Sequence, residues 1–225
     1  MSERTERLIH IFIESFIPLL KAGVAFTIPL TLLSFVFGFV LALLAALARL
    51  SGWKVLDLIA RFYVWVIRGT PLLVQLFIIF YGLPSIGIVI DAFPAAVIGF
   101  SISVGAYGSE IIRAAILSIG KGQWEAAYSV GMTRAQALRR VILPQAARVS
   151  VPPLANSFIS LLKDTSLASV ITMTEMFRKS QQITAVYYEA LLLYTEVALI
   201  YLLFSTVLSR LQSRLEQRFE RYTAR

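Results

Sequence analysis

Residues 24–48 run for twenty-five positions without a charged side chain. About 20 apolar residues are enough for a helix to cross a bilayer. A backbone in lipid must satisfy its own N–H and C=O groups, which restricts such a run to a helix. Composition extends this to the whole chain. Hydrophobic residues make up 58% and charged residues only 15%, where a soluble domain carries about 25% charged. The expectation is one all-α bundle integral to the membrane, with five spans at about 24–48, 55–81, 95–119, 152–171 and 190–208.

The segments between the spans are short and polar. Residues 1–22 open with Ser2, Glu3, Arg4, Glu6 and Arg7 and then turn apolar. A cleaved leader is disfavoured, because Glu14 and Lys21 interrupt the apolar part and the run continues far beyond any cleavage point. The segment reads as an external amphipathic helix lying on the membrane and ending at Lys21-Ala22-Gly23. The third span is rich in small residues (Gly99, Ser101, Gly105, Gly108, Ser109), which lets another helix approach closely. Pro152-Pro153 suits the first turn of the fourth. Residues 209–225 alternate an apolar stripe (Leu211, Leu215, Phe219, Tyr222) with Arg210, Arg214, Arg218 and Arg221. This amphipathic tail suits either anionic lipid or a partner protein.

Basic residues orient the bundle. Thirteen Lys and Arg fall in the segments on one side of the spans and five on the other. Cytoplasmic loops collect the positive charge, so the N-terminus is expected outside and the C-terminus in the cytoplasm. The net charge of +8 is thereby assigned to loops facing anionic lipid, with no nucleic-acid partner required. The chain has no cysteine and one histidine, His10, so neither a thiolate nor a histidine-cluster metal site is expected. It has no G-x-x-x-x-G-K-[ST] phosphate loop and no nucleophile–base pair for an intramembrane hydrolase, and it is expected not to be an enzyme.

The most polar stretch, residues 122–153, lies on the cytoplasmic side of this topology. It carries Arg134, Arg139, Arg140 and Arg148 against the single acid Glu125. Residues 125–130 are good helix formers, Gly131 supplies a left-handed end, and Thr133 can cap a second short helix over 134–143. The result is a knob of two short helices joined at a glycine.

Its residues resemble the EAA loop of ABC importer permeases: Glu125-Ala126-Ala127, then Gly131, then Val141-Ile142-Leu143-Pro144, with valine in a slot usually held by isoleucine. Further patterns look like the polar amino-acid uptake branch of that family. They are R-G-T-P-L at 68–72, Y-x-x-E-x-x-R at 107–113, G-Q-x-E-A-A-x-x-x-G at 122–131 and L-K-D-T-S-L-A at 162–168. The stretches 61–77 and 142–168 look close to L-cystine permease subunits, while glutamine, histidine and arginine permeases share the shorter motifs.

The resemblance implies a type I importer permease fold. It implies a dimer, expected to be a homodimer, with two ATPase subunits that hold ATP and Mg, and an extracytoplasmic solute-binding protein. This chain would hold no cofactor. Gly122, Gln123, Glu125, Ala126, Ala127, Gly131, Leu143 and Pro144 would dock the ATPase.

Ionisable residues inside spans each cost about 2.5–3.5 kcal/mol at a helix centre unless paired or wet, and so mark candidate sites. Here they are Arg68, Glu110, Arg113, Lys163, Asp164 and Glu196. Glu110 and Arg113 are three residues apart and can pair on one face. Gly69 and Pro71 weaken the helix beside Arg68 and Thr70, which frees backbone groups next to a cation. Lys163, Asp164, Thr165 and Ser166 offer a cation, an anion and two hydroxyls, the set a zwitterionic amino acid requires. Adjacent residues lie about 100° apart on a helix, so Lys163 and Asp164 cannot both face one ligand; Asp164 is the expected contact. Glu196 reads as structural. An ion-coupled secondary transporter or channel using Glu110, Asp164 and Glu196 is the alternative, although it would need no docking knob.

Overall fold

The computed structural model describes residues 3–220. Among them every regular element is helical. The chain opens on α1 (Glu3–Ala22), passes through one π-turn over Gly23–Thr27 and continues as α2 (Ile28–Leu50). These form a single 48-residue helix. The expected stop at Lys21-Ala22-Gly23 is therefore corrected. Ala22 keeps right-handed helical angles, and the wide turn absorbs the mismatch without breaking the chain. Gly23 serves packing: a Cβ there would lie 2.9 Å from the Phe204 ring.

The second segment is not straight. α3 (Lys54–Gly69) stops at the glycine, and Pro71 starts α4 (Leu72–Phe77). With the turns that carry it to Ile86, α4 is bent by 103° from α3. Thr70 and Pro71 are extended, as expected around a proline. Gln75 stitches the corner, its side-chain amide donating to the carbonyls of Ile67 and Thr70 and to the Thr70 hydroxyl.

α5 (Ala92–Ser118) is the centre of the bundle and packs along α2. Lipid is as apolar as leucine, so helices in a bilayer associate through close van der Waals contact. The small residues allow it. A Cβ on Gly38 would meet the Val104 side chain at 2.6 Å, and one on Gly105 would meet the Tyr63 hydroxyl and, at 2.8 Å, Leu41. That hydroxyl donates to the Ile102 carbonyl at 2.6 Å, which pins α3 to the same seam.

After α5 come α6 (Lys121–Ser129), α7 (Arg134–Ala137) and α8 (Leu143–Asp164), with a π-turn between the last two. The expected independent helix over 134–143 is thus the entry to the fourth-span helix, which begins at Leu143 and not at Pro152-Pro153. Pro144 occupies its first turn, where a missing N–H costs nothing. Pro152 and Pro153 lie inside the helix. Gln212 donates to the Pro152 carbonyl and to Asn156 Oδ1, bracing this part of α8 against the last helix.

A 3-10 turn (Thr165–Ile171) leads to α9 (Met176–Tyr187) and α10 (Ala190–Glu220). Helix continues past the expected end of the fifth span at residue 208 into the tail, whose sequence pattern is itself helical; the side chains of Leu215, Arg218, Phe219 and Glu220, and residues 221–225, lie outside the described residues. Glu175 caps α9 from a fully buried position between spans. Its carboxyl accepts from the N–H groups of Phe177 and Arg178 and from the Tyr201 hydroxyl. Burial still dominates and pushes this carboxyl up to about 7. Ser15 donates to the buried Glu196 at 2.5 Å, joining α1 to α10. Among the described residues, three helices are long and apolar enough to cross a membrane, and the bent α3–α4 pair makes a fourth if it is one span.

Candidate functional site

The loop between α5 and α8 is held by backbone geometry. α6 ends in a left-handed glycine, Gly131, at φ 82°. The Gly131 N–H bonds the Tyr128 carbonyl at 2.9 Å, and the Met132 N–H bonds the Ala127 carbonyl at 3.1 Å. This paired closure is the Schellman arrangement. Two residues later Thr133 opens α7 with a capping box: its hydroxyl accepts from the Gln136 N–H, and Gln136 Oε1 accepts from the Thr133 N–H. Gln145 reaches back to Gln123 at 3.0 Å. Arg134 donates to the Leu50 carbonyl at 2.8 Å, tying the loop to the end of α2.

On this frame Gly122, Gln123, Glu125, Ala126, Gly131 and Pro144 are exposed, Leu143 is half-buried, and Ala127 is buried against the loop's own core. Glu125 projects its carboxylate from this exposed face.

The intramembrane residues separate into two groups. Asp164 lines a cleft of about 450 Å³ between α4, α5 and α8, with Ser103, Tyr107, Asn156, Ser157 and Ser160. Five of these six were missed by the sequence reading. Their signal was present: Asn156, Ser160 and Asp164 are spaced by four on α8, as are Ser103 and Tyr107 on α5, so each set shares a helix face. The second group gathers around Glu110. Arg113 Nη2 lies 2.9 Å from Glu110 Oε2 and Arg68 Nη1 4.0 Å from the same oxygen, and Arg49 pairs with Oε1. Arg49 comes from the end of α2, sixty-one residues away, and nothing local announces it. The Arg68 guanidinium also stacks over the Tyr107 ring at 5.2 Å, so one aromatic side chain stands between the cleft and the charge cluster.

The remaining expected residues do not converge on the cleft. Thr70 is part of the α3–α4 corner, with its hydroxyl donating to the Val66 carbonyl. Thr165 is fully buried and donates to the Leu162 carbonyl. The Ser166 hydroxyl is used by the Lys163 carbonyl, and the Lys163 side chain is exposed and does not line the cleft.

The chain resembles known proteins along nearly its whole length. It is 57% identical over 213 residues, 94% of this chain and 91% of the relative, to the L-cystine transport system permease protein TcyB of Bacillus subtilis (strain 168). It is 42% identical over 206 residues, 91% of this chain and 94% of the relative, to the glutamine transport system permease protein GlnP of Escherichia coli (strain K12). Among solved structures, one described as an amino acid ABC transporter with histidines superposes with a TM-score of 0.82 at 40% identity, covering 96% of this chain and 97% of that one. The inward-facing MetNI methionine ABC transporter matches with a TM-score of 0.70 at 20% identity over 97% of this chain and 99% of that one, a likeness of fold. The model of the binding-protein-dependent transport system inner membrane component matches residues 38–221. That match covers most of the chain, and the chain belongs to this family of permeases.

Proposed function

We propose that this chain is the membrane-spanning permease of an ATP-driven importer for L-cystine, crossing the cell membrane five times as one transmembrane domain. The observation that carries the reading is the exposed loop face of Glu125, Ala126 and Gly131, set on a Schellman-closed helix and tied by Arg134 to α2. Its 57% identity to a cystine permease favours cystine over glutamine, whose permease is 42% identical.

In this reading two copies of the chain pair with each other, with two ATPase subunits and with an extracytoplasmic solute-binding protein. ATP and Mg bind the ATPases. Closure of the ATPases displaces the loops. The displacement passes through Arg134 to α2 and through the continuous α7–α8 path to Asp164, and the cleft changes its access from one side to the other. Asp164 receives the cargo ammonium, while Asn156, Ser157, Ser160 and Ser103 offer polar contacts that replace water. Uptake of radiolabelled L-cystine into proteoliposomes holding the whole complex tests this. ATP-dependent uptake that excess L-glutamine leaves intact is expected; uptake abolished by glutamine and not by cystine rejects the substrate assignment.

The N-terminus lies outside and the C-terminus in the cytoplasm. A cysteine placed at Ser2 then reacts with an impermeant maleimide in intact cells, after any outer membrane is permeabilised, and one placed at Ser213 does not. The reverse pattern overturns the orientation.

A further inference from the structure

Three guanidinium groups share one carboxylate at the Glu110 cluster. Arg49, Arg68 and Arg113 all converge on Glu110, and Arg61 nearby is matched by Asp57 at 2.8 Å. Two positive charges are left over. The Arg49 side chain is only 16% exposed and that of Arg113 29%, and Arg49 Nε is buried without a hydrogen-bond partner. Unbalanced charge in a low-dielectric setting is costly, and a buried donor left unmade adds to the cost. The cluster therefore calls for an anion.

Room for one exists. A cavity of about 370 Å³ is lined by Arg49, Arg61, Arg68, Glu110, Trp65 and Gly69. Its depth is set by the helix ends. Arg49 is in the last turn of α2, and Glu110 is eight residues from the end of α5, or about 12 Å along the axis. The cavity thus sits at the membrane boundary from which the coupling loop departs. Its rim on α3 is apolar and outward-facing: Leu58, Phe62 and Trp65 are 68%, 63% and 71% exposed. A headgroup-sized basic pocket beside a face that suits acyl chains, with a tryptophan at the boundary, matches lipid chemistry. The cargo cleft does not include Arg49, Arg61 or Glu110 and lies beyond the Tyr107 ring.

We infer that this cavity binds the phosphate headgroup of an anionic phospholipid from the leaflet beside the coupling loop, with Arg49, Arg61 and Arg68 as its ligands. Glu110 then acts as an internal competitor that holds the arginines in place when the lipid is absent.

The test is native mass spectrometry of the intact complex with its ATPase, exchanged into detergent containing phosphatidylglycerol or phosphatidylcholine. The wild type retains phosphatidylglycerol preferentially. Arg68→Gln and Arg61→Gln each lower that retention roughly tenfold, the scale of one lost charge-assisted hydrogen bond. Arg68 is half exposed, and its replacement leaves the other two arginines on Glu110, so this variant keeps its fold. Glu110→Gln removes the competitor and raises retention, the opposite of what loss of a purely structural salt bridge does. Equal retention of the two lipids, or retention unchanged in Arg68→Gln, overturns the inference. So does displacement of the lipid by excess inorganic phosphate, which marks a site for any small anion, or by L-cystine, which assigns the pocket to the cargo path. The L-cystine arm rests on the substrate proposed above; the lipid-preference, variant and phosphate readings depend neither on that substrate nor on the membrane orientation.

Discussion

The loop between α5 and α8 and the cleft lined by Asp164 are built by opposite means. In the loop, contiguous residues make their own geometry: Gly131 turns left-handed, Met132 reaches Ala127, and Thr133 exchanges bonds with Gln136. The cleft takes its polar side chains from α5 and α8, elements about fifty residues apart in sequence. The loop's shape is thus specified by neighbours in sequence, whereas the cleft exists only once distant helices pack together.

The largest effect is expected at Gly131. Gly131→Arg forces a side chain onto a left-handed residue, which costs about 1–2 kcal/mol, and places a new cation on the docking face. ATP-dependent uptake should fall to background, and the ATPase should no longer co-purify, while the protein still inserts. Glu125→Lys should produce the same uncoupling without backbone strain. Normal uptake in both variants would remove the loop from the coupling path.

A smaller effect is expected in the cleft. Asp164→Asn keeps the shape and removes the charge, so substrate affinity should drop roughly tenfold or more, as for one charge-assisted hydrogen bond of about 1.5–3 kcal/mol. Substrate-stimulated ATPase activity should shift to higher substrate concentration while the thermal stability of the complex stays close to wild type. An unchanged substrate dependence would show that the carboxylate does not read the ligand.

The smallest effect belongs to Glu175, which lies in neither region. Its carboxyl is protonated up to about 7 in the fold but only up to about 4.5 when exposed. Unfolding between those values releases a proton. Its contribution is therefore complete below about 4.5 and is lost as the pH rises to about 7, at a slope of no more than about 1.4 kcal/mol per pH unit. Thermal melts from pH 8 down to pH 5 should show rising stability in the wild type and a flatter profile in Glu175→Gln. Parallel profiles would mean that another group carries the dependence.

The contrast between the regions also explains what the sequence made legible. Gly131 and Thr133 could be assigned their conformations in advance because a glycine after a helix-forming run and a threonine before one act within a few residues. The all-helical class followed from the apolar runs for the same reason. The Arg49–Glu110 pair could not be foreseen, because its partners meet only once α2 lies along α5. Pro152-Pro153 misled, since a proline pair normally marks a helix start. Contacts from α10 hold α8 together there, and no local signal reports them. Lys163, Asp164, Thr165 and Ser166 offered partners for a zwitterion, and the 100° step between neighbours already singled out Asp164; the fold leaves Lys163 exposed and buries Thr165.

The uninterrupted helix from Glu3 to Leu50 has a mechanical consequence. At 1.5 Å per residue its 48 residues make a strut roughly 70 Å long, hooked at one end by Arg134 and clasped at the other by α9 and α10. One continuous helix therefore links the loop that carries Arg134 to α9 and α10, with no other element needed between them.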